Sequence, residues 1–196
     1  DVPAAPEDGG PRNWQVFAGG GLNLRAEAST RSTVLATYAA GTVLDNLGCT
    51  SVQGRAWCDV QQLGGGPRGY VAAEFLRPAV APHGEPAFGP DDSAYRAGQG
   101  AFDASGKIPC AQYPGQPMGQ CDFAVARAGG GYATVVVTHS SGAQRALYFR
   151  MGIPIGVSMS EANRCGPYSA SKEYGLHMIR CGSERFEVPD AVVLGG

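Results

Sequence analysis

The chain has 196 residues, room for one large or two small domains, and balances 15 basic against 17 acidic residues for a net charge of −2. No basic stripe or acidic block stands out, which excludes the electrostatic footprint of a nucleic-acid partner. No apolar run approaches the ~20 residues that a membrane-crossing helix needs, so no transmembrane segment is expected. Six cysteines occur, an even number, and none belongs to a C-x-x-C pair. That spacing argues for disulfides rather than zinc, and disulfides imply an oxidising compartment. The first residue is Asp1, with no charged-then-apolar leader, so the expectation is a mature exported chain after signal-peptide removal.

Residues 1–13 are rich in proline, glycine and acid, a composition that buries too little to order itself, and predict a flexible tether. Trp14, Val16 and Phe17 bring the first apolar cluster, a first strand or a cover across a barrel mouth. Leu22 and Leu24 then alternate with Asn23 and Arg25, the period of a half-buried strand. A polar loop runs from Ala26 to Thr33, Val34 and Leu35 start a second strand, and Gly41 turns the chain into Thr42-Val43-Leu44. Residues 56–60 alternate again and are read with the Trp57 indole and Val60 on one face. A turn at Gly64-Gly65-Gly66-Pro67 leads to Gly69-Tyr70-Val71. Short strands punctuated by glycine indicate a small barrel or sandwich.

The LNLR opening, the serine- and threonine-bearing loop, the Ala40-Gly41-Thr42 turn, the Trp57 strand and the GYV close ending at Leu76 occur in an order that resembles the bacterial SH3-like domain. The resemblance covers about a third of the chain; a proline common in the family's loop is replaced by Glu27-Ala28. It implies a small barrel over residues 14–78 that binds a cell-wall peptide or a partner protein and does not catalyse. Small barrels bind in grooves walled by aromatics and rimmed by polar loops. Tyr38, Trp57 and Tyr70 are the candidate walls, and Asn23, Arg25, Glu27, Ser29 and Thr30 the candidate rim, with plain core as the alternative for Trp57 and Tyr70.

Four prolines over residues 78–94 forbid a regular helix and predict an extended linker at 79–94; His83 lies in it with no ligand partner nearby in sequence. Residues 95–196 read as a second, antiparallel β domain. Strands are expected around residues 123–127, 132–138 and 144–151, with an edge or exit at 153–155 because Pro154 cannot donate to a central ladder. A loop is expected over 158–171, strands at 176–181 and 185–188, and a docked apolar tail over 189–196. The phrases IPC at 108–110, VARAGGGYATVVV at 125–137 and ERFEVPDAVVLGG at 184–196 resemble an uncharacterised domain of exported proteobacterial proteins, which implies export but no activity.

Catalysis finds little support in these residues. A Cys/His cell-wall peptidase needs a thiolate at a helix start, and Pro114 limits any helix after Cys110 to less than a turn. His139 and His177 are read as lying inside strands. His177 and Cys181, four apart on a strand, would stand more than about 12 Å from one another at ~3.3 Å per residue and could not share a zinc ion with Cys165. Asp91-Asp92 and Glu184/Glu187 do not face one another across a site as a glycosidase requires. No catalytic residue, metal or cofactor is therefore expected.

The reading is an all-β chain, an SH3-like small barrel followed by a second small antiparallel β domain, with no helix beyond about three turns. Its function is non-catalytic binding in the bacterial envelope, periplasmic or secreted, to cell-wall peptide or an envelope protein. The alternatives are an adaptor, inhibitor or accessory subunit and, more remotely, a peptidase. Sequence-local bridges within each domain are expected: Cys49–Cys58 across the Gln53-Gly54-Arg55 turn, Cys110–Cys121, and Cys165–Cys181. Closing a ~15-residue loop contributes about 3 kcal/mol, which small cores need. Non-reducing peptide mapping should return these three pairs; a bridge joining the two domains would refute the assignment.

Overall fold

The structure, a computed structural model, describes residues 1–195 and divides into a unit of Asp1–Pro90 and a unit from Asp91 onward. Strands β1 Asn13–Val16, β2 Leu22–Arg25, β3 Val34–Tyr38, β4 Val43–Val52, β5 Arg55–Gln62, β6 Arg68–Ala72 and β7 Leu76–Pro78 form the first unit's antiparallel sheet. Their order is β3-β2-β6-β5-β4-β1-β7, a small barrel. Its core gathers Val16, Leu22, Leu24, Leu44, Cys58, Val60 and Val71.

Three local features set this geometry. The β4–β5 hairpin turns through Gln53 and Gly54, both at positive φ (51° and 79°), the two-residue turn whose twist matches paired strands. Cys49 sits opposite Cys58 in that hairpin, with Cα atoms 4.0 Å apart, and the disulfide staples it. At Gly69 an added Cβ would lie 2.5 Å from the Arg25 carbonyl oxygen, so glycine permits β6 to approach β2.

The face assignment on β5 differs from the expectation. Cys58 and Val60 are fully buried in the barrel core, whereas Trp57, buried as well, lies outside that cluster. Residues 57–61 pair with β6 without a register break. Trp57 and Val60 are three apart on an unbroken strand, so they face opposite sides.

The tether expected at residues 1–13 is instead laid onto the barrel. The Asn46 side chain donates to the Ala4 and Pro11 carbonyls at 3.0 and 2.8 Å. The linker is likewise tied down to residue 89. Pro11 bridges Phe88, Arg12 N–H donates to the Ala87 carbonyl and Ala79 N–H to the Asn13 carbonyl, both at 2.9 Å. Proline content rules out a helix there but not backbone pairing to a neighbouring segment. A short helix, α1 Ser93–Gly98, starts inside the last two residues of that expected linker.

The second unit is one antiparallel sheet of β8 Ala104–Ala111, β9 Gly119–Arg127, β10 Ala133–Thr138, β11 Gln144–Arg150, β12 Ile153–Val157, β13 Tyr168–Glu173, β14 Leu176–Cys181 and β15 Glu184–Pro189. The order is β12-β11-β10-β9-β8-β15-β14-β13, which puts the Pro154 strand at an edge as expected. Residues 168–171, read as loop, belong to β13, which is exposed along nearly its whole length and so shows no apolar alternation. β8 hides for a similar reason: residues 105–107 are exposed. The tail forms α2 Asp190–Leu194 and docks through Val192 and Val193; its last residue, Gly196, lies outside the described residues. His139 follows β10 in a turn rather than lying in a strand, its N–H donating to the Ala143 carbonyl at 2.8 Å. The bridges Cys110–Cys121 and Cys165–Cys181 complete the expected set, with Cα separations of 5.8 and 5.3 Å.

A buried ion pair anchors the long loop between β12 and β13. Arg145, 3% exposed, binds Glu184 Oε2 at 2.5 Å and Oε1 at 3.2 Å. It also donates to the carbonyls of Ser158 and Asn163 at 2.7 and 2.6 Å. Burial pushes the Glu184 carboxyl up, but the hydrogen bonds and charges of Arg145 and His139 outweigh it and hold the group below its ordinary value. Removing one partner strands a buried charge, so Arg145→Met should destabilise the second unit by about 3 kcal/mol, read as a lower urea midpoint. Because the folded value is depressed, Glu184's contribution is fully present above roughly pH 4.3 and is lost as pH falls through the lower folded value. Glu184→Gln should therefore flatten part of the acid limb of a stability-versus-pH curve; an unchanged limb would refute this.

Candidate functional site

Strand period places Arg55, Trp57 and Asp59 on the outer face of β5, and two adjoining clefts open there. One, of 160 Å³, is lined by Asn23, Arg25, Thr30, Arg55, Trp57 and Phe75, among others. The other, of 250 Å³, is lined by Ser29, Thr30, Val52, Gln53, Arg55 and Trp57, with Ala28. Thr30, Arg55 and Trp57 are common to both.

Trp57 is 4% exposed, covered by the surroundings of the clefts rather than by the barrel core. The Arg55 guanidinium lies 5.2 Å from the centre of its ring, an attraction between cation and ring face. Arg55 also donates from Nε and Nη2 to a single oxygen, Oε1 of Glu74, at 2.8 and 2.6 Å. Both side chains of that pair are well exposed, so it contributes at most about 1 kcal/mol.

The loop over residues 26–33 is held by its own hydrogen bonds. Ala26 N–H donates to the Thr33 carbonyl at 2.9 Å, Glu27 N–H to Ser32 Oγ at 2.8 Å and Arg31 N–H to Ser29 Oγ at 3.1 Å. Arg25 Nη1 reaches across to the Ser32 carbonyl at 3.0 Å. The rim is thus pre-ordered without the family proline.

Of the residues proposed from sequence, Asn23, Arg25, Ser29, Thr30 and Trp57 line the clefts. Glu27 is exposed and lines neither. Tyr38 is a correction: it is 5% exposed and packs in the barrel core, where burial raises its phenol pKa. Tyr70 is half-buried, in register with Asp59 and Arg25 on the same outer face, but lines neither cleft. Sequence reasoning passed over Arg55, Gln53, Val52 and Phe75. For Arg55 a signal existed, since it lies two residues before Trp57 and must share its strand face.

The second unit brings together residues that the sequence held apart. Ligand atoms of Cys110, Cys121 and His139 lie within 4.8 Å of one another. His139 Nδ1 is 3.6 Å from Cys121 Sγ, and Nε2 is 2.9 Å from Glu184 Oε1. Both sulfurs are joined to each other, so neither offers a thiolate. His177, which sequence placed near Cys181, pairs instead through Nε2 with Asp190 Oδ1 at 2.7 Å. A hydrogen bond from Lys172, ahead of that from His177, keeps the Asp190 carboxyl below its ordinary value despite partial burial.

Residues 20–77 match the family model described as the bacterial SH3 domain. No curated protein and no solved structure matches the chain. Core and cleft residues should separate in stability measurements. Arg55→Ala should change the unfolding free energy by less than about 1 kcal/mol, whereas Tyr38→Ala should lower it by about 3 kcal/mol, both by urea titration.

Proposed function

We propose that the bacterial SH3 domain carried by this chain makes it a non-catalytic binding protein of the bacterial envelope, holding cell-wall peptide or a segment of a partner protein in the clefts around Trp57. The observation that carries this reading is the position of Trp57: a large aromatic packed beneath a polar, pre-ordered rim and outside the barrel core. Such a site sets hydrogen-bond donors around a buried aromatic floor, so a few convergent polar groups would orient a bound peptide. Three disulfides are compatible with a periplasmic or secreted location. Among the described residues no helix is long and apolar enough to cross a membrane.

A second reading, an adaptor, inhibitor or accessory subunit of an envelope assembly, draws on the second unit. β13 is a sheet-end strand exposed along most of its length, and such edges pair with other chains. Tyr174, at the tip of the β13–β14 hairpin with φ 49°, is fully exposed.

The full chain should be retained on purified peptidoglycan, and Trp57→Ala, verified as folded by circular dichroism, should lose that retention. Capture of one stoichiometric envelope protein with no retention on peptidoglycan would favour the adaptor. Release of soluble peptides from peptidoglycan, abolished by Cys110→Ala, would overturn both and establish a peptidase.

A further inference from the structure

The clefts around Trp57 have a definite charge. Their lining includes two guanidinium groups, Arg25 and Arg55, and no carboxylate. Arg55 already displays the chemistry it accepts. Its Nε and Nη2 converge on one oxygen of Glu74, a residue that lines neither cleft and whose side chain is 57% exposed. A guanidinium carries five N–H donors in a rigid fork, so this contact leaves further donors on Arg55. Arg25 donates from Nη1 to the Ser32 carbonyl, which fixes the side chain against the loop. Trp57, Phe75 and Leu22 line the same cleft as both arginines.

We propose that this site recognises a peptide by its free terminal carboxylate, taken up by the guanidinium of Arg55 with Arg25 in the same cleft, while the last side chains lie in the clefts above the buried Trp57. The proposal rests on the binding reading above and names the ligand class for the same site. Glu74 then acts as an internal competitor: it holds Arg55 over Trp57 in the empty state and gives way because an exposed ion pair is weak. Arginine pairs with carboxylates in a forked, charge-assisted geometry that an amide cannot reproduce. The chemistry is shared by a cell-wall stem peptide ending in a D-amino acid and by the C-terminus of a partner protein.

The test is a titration of the ¹⁵N-labelled full chain, followed by NMR at the Trp57 indole, with three peptides. They are N-acetyl-lysyl-D-alanyl-D-alanine, the same peptide with its C-terminus amidated, and the all-L acid. The acid should shift the indole resonance, and amidation should weaken binding by about tenfold or more, the loss of one charge-assisted contact. Arg55→Gln should weaken binding of the acid by a similar factor. Glu74→Gln should tighten it several-fold, which a purely structural role for Glu74 would not produce. Preference for the D-peptide assigns the ligand to the wall, and equal or better binding of the all-L acid assigns it to a protein terminus. Equal binding of acid and amide, or an affinity unchanged in Glu74→Gln, would overturn the proposal. If neither peptide binds while the full chain is still retained on peptidoglycan through Trp57, the carboxylate assignment fails and the binding reading stands. If neither peptide binds and peptidoglycan and envelope extract are also ignored, both fail.

Discussion

The clefts of the first unit depend on which side of one strand a tryptophan takes. In β5 the period of two sends Cys58 and Val60 into the barrel and Trp57 out of it. A slip of one residue would reverse every side chain of the strand, placing the indole in the core and the Cys58 sulfur outside. Two features oppose that slip. The Gln53-Gly54 turn fixes the hairpin register through its positive φ angles, and the Cys49–Cys58 bridge joins directly opposed residues. The disulfide is therefore a register device for the site as well as a constraint on the unfolded chain. Closing so short a loop contributes modestly through entropy, but it holds Arg55 and Trp57 within three residues of a covalent clamp.

The second unit shows a different economy. Beside its apolar core, which includes Val125, Val135, Leu147, Phe149 and Phe186, it buries a charged network. Arg145 and Glu184 are both nearly buried, and a buried pair of this kind is weak support for stability in itself. Its effect is on position. Arg145 spends its remaining donors on the Ser158 and Asn163 carbonyls, and the Asn163 amide returns a bond to the Gln144 carbonyl at 3.2 Å. The long connection between β12 and β13 is held by these contacts and by the Cys165–Cys181 bridge rather than by an apolar anchor. That explains how a glycine- and serine-bearing segment can be ordered with little core of its own.

What the sequence made legible, and what it hid, follows the same physics. Leu176 to Cys181 announced itself by alternation, because alternation is a consequence of one buried face, and Tyr132 to Thr138 by its β-branched run, which suits a strand buried on both faces over much of its length. Local cysteine pairs were legible because each bracketed a turn or loop within one domain. β13 and the first half of β8 were not, since both faces of an exposed strand carry polar or small residues. The N-terminal residues were misjudged for a related reason: Asn46 satisfies its amide on the Ala4 and Pro11 carbonyls, and backbone acceptors leave no trace in composition. The cleft was half legible. Trp57, Arg25 and Thr30 could be named from type and place, but Arg55 required taking the strand period literally, and Tyr38 required knowing how far the barrel core extends.

The Cys110–Cys121–His139–Glu184 array bears on the enzymatic alternative. On paper it has the components of a thiol hydrolase: sulfur, imidazole and carboxylate in sequence, with His139 Nε2 held by Glu184 and Nδ1 near Cys121 Sγ. Two physical facts argue against that use. The sulfurs form a covalent bond with each other, so no thiolate exists for His139 to generate or stabilise. His139 is 3% exposed and lies tilted against Phe186, with ring centroids 5.4 Å apart, a packed position inside the sheet's core side. Glu184 moreover divides itself between His139 and Arg145, a partner that a catalytic carboxylate oriented toward its histidine alone would not require. The same atoms are accounted for by structure: imidazole and guanidinium satisfy one buried carboxylate, and that carboxylate joins the turn after β10, the strand β11 and the start of β15.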